Sequence, residues 1–98
     1  MNEKTMLKIA YEVLKEKEQL TLQQIMSKVE KELKSTWQND RPEMSLDDIT
    51  TIKTGELHKL LTIDGNFLRL KDASWTLVER FSPEEIQNIK MQVQEQLD

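Results

Sequence analysis

Ile63-Asp64-Gly65-Asn66-Phe67-Leu68-Arg69-Leu70, then Lys71-Asp72-Ala73, then Ser74-Trp75-Thr76-Leu77-Val78 breaks a chain otherwise patterned as helices. Asp64-Gly65 is a turn signal, because glycine tolerates backbone angles that other side chains resist. Short β-prone runs flank Lys71-Asp72-Ala73, which predicts a β-hairpin over 66–70 and 74–78. With a period of two, Leu68 and Leu70 share one face, as do Trp75 and Leu77. These four side chains are expected to cover the helices behind the hairpin.

Upstream, the apolar spacing turns helical. Met6, Ile9, Ala10, Val13 and Leu14 form one stripe over about 4–17. Gln19-Leu20-Thr21 is a break, in which Leu20-Thr21 would pair with the hairpin if the sheet has three strands. Thr21 with Gln24 is a capping box: the hydroxyl takes a free backbone N–H and the amide reaches back. The helix it opens runs over about 22–34, with Leu22, Ile25, Met26, Val29 and Leu33 inward. Residues 35–44 lack a period and contain Pro42, so they read as a surface loop. Trp37 inside it is either a plug folded back on the core or an exposed contact residue.

Ser45 with Asp48 begins another cap. Helix is expected over 46–61, with Leu46, Ile49, Ile52, Leu57, Leu60 and Leu61 as core positions. Thr50, Thr51 and Gly55 disfavour helix, glycine by about 1 kcal/mol relative to alanine. Two pieces are therefore expected, near 46–50 and 52–61. Downstream, Ser82-Pro83-Glu84-Glu85 combines an N-cap, a proline at the first helical position and a capping box. It opens a last helix over about 83–96, with Ile86, Ile89, Lys90, Val93 and Leu97 on one side. That stripe is thin, so this helix is either loosely docked or pairs with another chain.

The 98 residues suit one modest core. Cysteine is absent, which excludes disulfides and thiolate chemistry and fits a reducing cytoplasm. No run is long enough to span a membrane, and the amino terminus reads as an amphipathic helix rather than a signal peptide. Basic residues number 14 against 18 acidic, a net charge of -4. Neither half has the basic excess of an autonomous nucleic-acid binder. Over 46–61, Lys53 and Lys59 face Asp47, Asp48 and Glu56, with no arginine, asparagine or glutamine to read base edges.

Catalysis finds no constellation. The single histidine, His58, has no converging carboxylate and reads as a structural or surface residue. There is no nucleophile motif, phosphate loop or dinucleotide fingerprint, so no enzyme activity, metal or cofactor is expected.

Three helices followed by a hairpin is the layout of a winged helix-turn-helix domain, in the α/β (α+β) class. Within it, Ile63-Asp64-Gly65-Asn66-Phe67-Leu68-Arg69-Leu70 and Trp75-Thr76-Leu77 resemble the hairpin signature of the HARE-HTH family. They are most similar to the amino-terminal domain of bacterial RNA polymerase delta subunits, which carries I-D-G-x-F-L-x-L, a short turn and W-x-L. The resemblance covers about residues 4–81. It implies a domain over 1–81, an added helix over 82–98, and a non-catalytic accessory subunit that binds core RNA polymerase. In that family the subunit limits non-specific nucleic-acid binding and promotes recycling, partly through a long acidic tail.

Two departures stand out. A capped helix follows Phe81 where the family has its tail, so tail-dependent activities do not carry over to these 98 residues from the resemblance, whether a tail follows Asp98 or has been lost. The 35–44 segment also differs from the family's usual short link. With the apolar stripes turned inward, the docking surface is expected to use Lys53 and Lys59 outward on the third helix. Arg69, Thr76 and Val78 on the hairpin's second face and Lys71 at its turn would join them, the alternative being that these are ordinary solubilising charges; the 35–44 loop with Trp37 is the next candidate for the interface.

Overall fold

A computed structural model describes the backbone of residues 5–97 and the side chains of 5–93. Lys4 and the side chain of Leu97, both assigned to helices from sequence, lie outside the described residues. The order is α1 (Met6–Glu16), α2 (Leu22–Asp40), α3 (Leu46–Ile63), β1 (Phe67–Arg69), β2 (Trp75–Leu77), a 3-10 turn (Val78–Arg80) and α4 (Pro83–Leu97). This is an α+β, winged-helix-like fold: α1, α2 and α3 pack on one another and on a small antiparallel hairpin.

Each helix starts where its side chains satisfy free N–H groups. Thr5 caps α1, accepting from the Lys8 amide at 3.1 Å. Thr21 and Gln24 form the expected capping box, at 2.9 and 3.1 Å. Ser45 accepts from the Asp48 amide at 3.1 Å. Ser82 and Glu85 exchange bonds of 2.8 and 3.2 Å at the start of α4.

Two helices are longer than the sequence reading. The loop expected over 35–44 is mostly helix, because α2 continues to Asp40. Trp37 stands four residues after Leu33 and eight after Val29, so it prolongs the inward stripe. Its burial, to 6% exposure, offsets the weak helix preference of Ser35, Thr36 and Asn39. The helix stops at Arg41 because Pro42 disfavours helical backbone in the residue before it. Trp37 is thus a core plug, and the exposed-contact role is corrected.

The third helix is likewise one piece over Leu46–Ile63 rather than two. Ile49, Leu57 and Leu61 are all buried and stand on one four-residue repeat that runs past Gly55. Packing along that stripe outweighs the glycine, whose backbone touches nothing a β-carbon would disturb. Thr51 and Thr54 turn their hydroxyls back to the carbonyls of Asp47 and Thr50, at 2.9 and 2.7 Å. Ile52, expected in the core, is off the stripe and 45% exposed.

In the hairpin, Phe67 pairs with Leu77, Leu68 with Thr76 and Arg69 with Trp75. Phe67, Trp75 and Leu77 join the core of the three helices. Leu68 is buried outside that cluster, and Leu70 is half-buried beyond the strand. The expectation that Leu68 and Leu70 cover the helices is therefore corrected: Phe67 sets the core-facing parity. Thr76, expected on an offered face, is buried and donates its hydroxyl to the Glu18 carbonyl at 2.6 Å. The turn is closed by Leu70 N–H to Ser74 C=O at 2.8 Å, with Ala73 in the left-handed region at φ 70°.

The third strand is a single reciprocal pair. The Leu20 amide donates to the Trp75 carbonyl at 3.0 Å, and the Trp75 amide to the Leu20 carbonyl at 2.7 Å. Thr21 leaves the sheet to cap α2. After β2 the chain clamps α1. Arg80 donates to the carbonyls of Leu14 and Lys15, at 2.7 and 3.1 Å, completing the helix end. The Tyr11 hydroxyl donates to Glu79 at 2.6 Å. Among the described residues, no helix is long and apolar enough to cross a membrane.

Candidate partner-docking surface

The cations nominated from sequence stand in different settings. Lys53 lies between Ile49 and Leu57 on the four-residue repeat. It is half-buried, and its Nζ sits 3.3 Å from Glu56 Oε1. Lys59 is exposed on α3, and Lys71 is exposed at the hairpin turn. Arg69 is half-buried and stands opposite Trp75 in the sheet register. Lys53, Arg69 and Lys71 line three different clefts. Thr76 is buried and so leaves the hairpin face read from sequence, and the burial of Trp37 removes it as an exposed contact.

The structure instead builds a groove around Arg69. A cleft of about 390 Å³ is walled by the carboxyl-terminal half of α3, the Gly65 turn, the hairpin and α4. Its apolar side comes from Phe67, Leu68, Trp75, Val78 and Val93. His58, Arg69 and Lys90 supply the basic side chains, and among the described residues no aspartate or glutamate lines it. His58 is exposed and meets Trp75 edge-on, with ring centroids 6.2 Å apart and planes at 82°. The same His58, Arg69 and Trp75 line a second cleft of about 280 Å³ that reaches the start of α2 at Thr21 and Leu22. These three residues form a ridge shared by the two clefts.

Trp75 remains a core residue, as its strand parity implies, at 3% exposure. His58, set aside as a structural or surface side chain, borders the groove. Lys90 and Val93 were legible as one side of the last helix, but not as the wall opposite β1. That pairing needs the chain to return after β2, which no local pattern encodes.

Electrostatics around the hairpin organise the turn. The Ser74 hydroxyl and amide, with Gln19 adding a third bond, hold the Asp72 carboxyl below the usual carboxylate range. Those bonds measure 2.6, 3.0 and 3.1 Å. The Ser82 amide and hydroxyl lower Glu85 in the same way. Tyr11 is raised, first by its hydrogen bond to Glu79. Among the described residues, no group of three or more histidine or acidic side chains is placed to hold a metal ion.

No family model, no curated protein and no solved structure matches this chain.

Proposed function

We propose that the chain is a non-catalytic protein-docking domain. It acts as a delta-like accessory subunit of bacterial DNA-directed RNA polymerase, binding core enzyme in the cytoplasm and modulating transcription specificity and recycling. The observation that carries this reading is the Ile63-Asp64-Gly65-Asn66-Phe67-Leu68-Arg69-Leu70 and Trp75-Thr76-Leu77 string, standing in a winged-helix-like fold. The groove beside that string supports it, because a cleft with an apolar wall and a few polar groups suits protein recognition.

A second reading, a winged-helix regulator that binds DNA, draws on the same helix order. Its recognition helix would be α3. The described surface of α3 works against it. Asp47, Asp48 and Glu56 are exposed there, and Lys53 is engaged by Glu56. With exposed Lys59 set against these three carboxylates, the surface lacks the basic excess that releases a phosphate backbone's counterions.

The two readings separate in one pair of measurements. The delta-like reading expects the chain to be retained by immobilised core RNA polymerase and to bind free duplex DNA poorly at low salt. Tight duplex binding that falls steeply with salt, without retention by core polymerase, would establish the DNA-binding reading instead.

A further inference from the structure

The hydrogen-bond alternation of the sheet leaves one edge open. In an antiparallel pair, a residue whose N–H and C=O do not bond its neighbour points them the other way. Leu70 N–H bonds Ser74 C=O, and Val78 N–H bonds Asn66 C=O. Counting by two from these bonds, Leu68 and Thr76 form the hydrogen-bonded pair, and Arg69 and Trp75 a non-hydrogen-bonded one. Trp75 confirms the parity, because its N–H and C=O go to Leu20 on the far side. Arg69 must therefore aim its own N–H and C=O away from β2, along the outer edge of β1.

That edge borders the groove. Leu68 and Phe67 supply apolar wall beside it, and Val93 of α4 stands among the same lining residues. Among the described residues, the side chains that could carry charge in the groove are the basic Arg69, Lys90 and His58. Neither Arg69 nor Lys90 has an ion-pair partner among the described residues, in a chain whose net charge is -4. Cations without an acidic neighbour among the described lining residues disfavour a basic ligand and favour an acidic one. A bare phosphate chain would leave the apolar wall unused.

We infer that the outer edge of β1 is a strand-addition site for an extended acidic peptide segment carrying an apolar anchor. The segment bonds the Arg69 backbone, sets its apolar side chain against Leu68 and Val93, and places its carboxylates near Arg69 and Lys90. Main-chain bonds give such a site affinity, and the alternating side chains give it selectivity. This rests on the reading of the chain as a protein-docking domain, but not on polymerase as the partner.

The test uses the full chain, isotopically labelled, and a short fluorescent peptide in which a leucine-phenylalanine pair is flanked by aspartates. Saturable binding is expected, with amide shifts centred on β1 and hydrogen exchange of the Arg69 amide slowed by about tenfold or more. Arg69→Glu with Lys90→Glu should weaken binding by about tenfold or more. Lys28→Glu with Lys31→Glu, on the exposed face of α2, should leave it within about twofold. Circular dichroism establishes that both variants are folded. A peptide with lysines in place of the aspartates should not bind.

Absence of saturable binding, or binding without Arg69 protection, overturns the inference. So does equal loss in both double variants, which would mean unspecific charge attraction. Groove shifts that depend on protein concentration alone would identify a second copy as the occupant, and shifts with duplex DNA but not peptide would identify nucleic acid; either overturns it. Retention on core polymerase is scored separately. Retention without peptide binding overturns the groove and leaves the functional reading standing. Peptide binding without retention does the reverse.

Discussion

α3 and α4 are helices of similar length with opposite relations to the rest of the molecule. α3 (Leu46–Ile63) sends Ile49, Leu57 and Leu61 into the shared core, despite threonines and a glycine that weaken it locally. α4 (Pro83–Leu97) has the stronger local start, a proline and a completed capping box. Yet none of its described side chains is buried: Ile86, Ile89 and Val93 are half-covered and Met91 is 53% exposed. Local signals decide where a helix begins, and burial decides whether the fold depends on it.

Emptying the core where hairpin and helices meet should have the largest effect. Trp75→Ala should cost roughly 3–5 kcal/mol in denaturant unfolding. An unchanged midpoint would remove Trp75 from the core. A matched pair comes next. Leu57→Ala should cost roughly 2–5 kcal/mol, whereas Ile89→Ala should cost about 1 kcal/mol or less. Equal losses would make α4 as integral as α3.

Ser82→Ala removes the cap of α4 and should weaken that helix by about 1 kcal/mol. The effect belongs in amide exchange along α4, with little change in the global melting temperature. If the cap variant instead lowers protection in α3 equally, the two helices unfold as one unit. The smallest effect concerns Asp72. Its folded pKa is lowered, so its contribution is present above the ordinary carboxylate pKa and is lost as pH falls through the depressed value. Wild type should therefore exceed Asp72→Ala in stability at neutral pH, and the gap should close in acid. A gap that widens in acid contradicts the bonding of Asp72 to Ser74.

The capping boxes at Thr21 and Ser82 and the position of the hairpin were legible from residues close in sequence, because their physics is local. The two misplaced helix boundaries share a cause. Ser35 to Asp40 looks polar, and only Trp37 continues the repeat from Val29 and Leu33. One large aromatic ring in a polar stretch carries more burial than its neighbours' propensities oppose. In α3, Ile49 and Leu57 flank Lys53, so the repeat is visible only if a lysine stem is counted on the inward face. The groove was less legible still. Arg69 was nominated for its charge alone, while its open backbone edge follows from register, and Lys90 reaches the same cleft only through the return of α4.

Ala73 holds φ 70° in the turn between β1 and β2, a conformation in which its β-carbon crowds the following carbonyl. Glycine or asparagine occupies that region at lower cost. The hairpin therefore carries headroom: one atom group in a surface turn stands between the present chain and a more stable one. Ala73→Gly is a substitution open to drift or to design, and it leaves the core untouched.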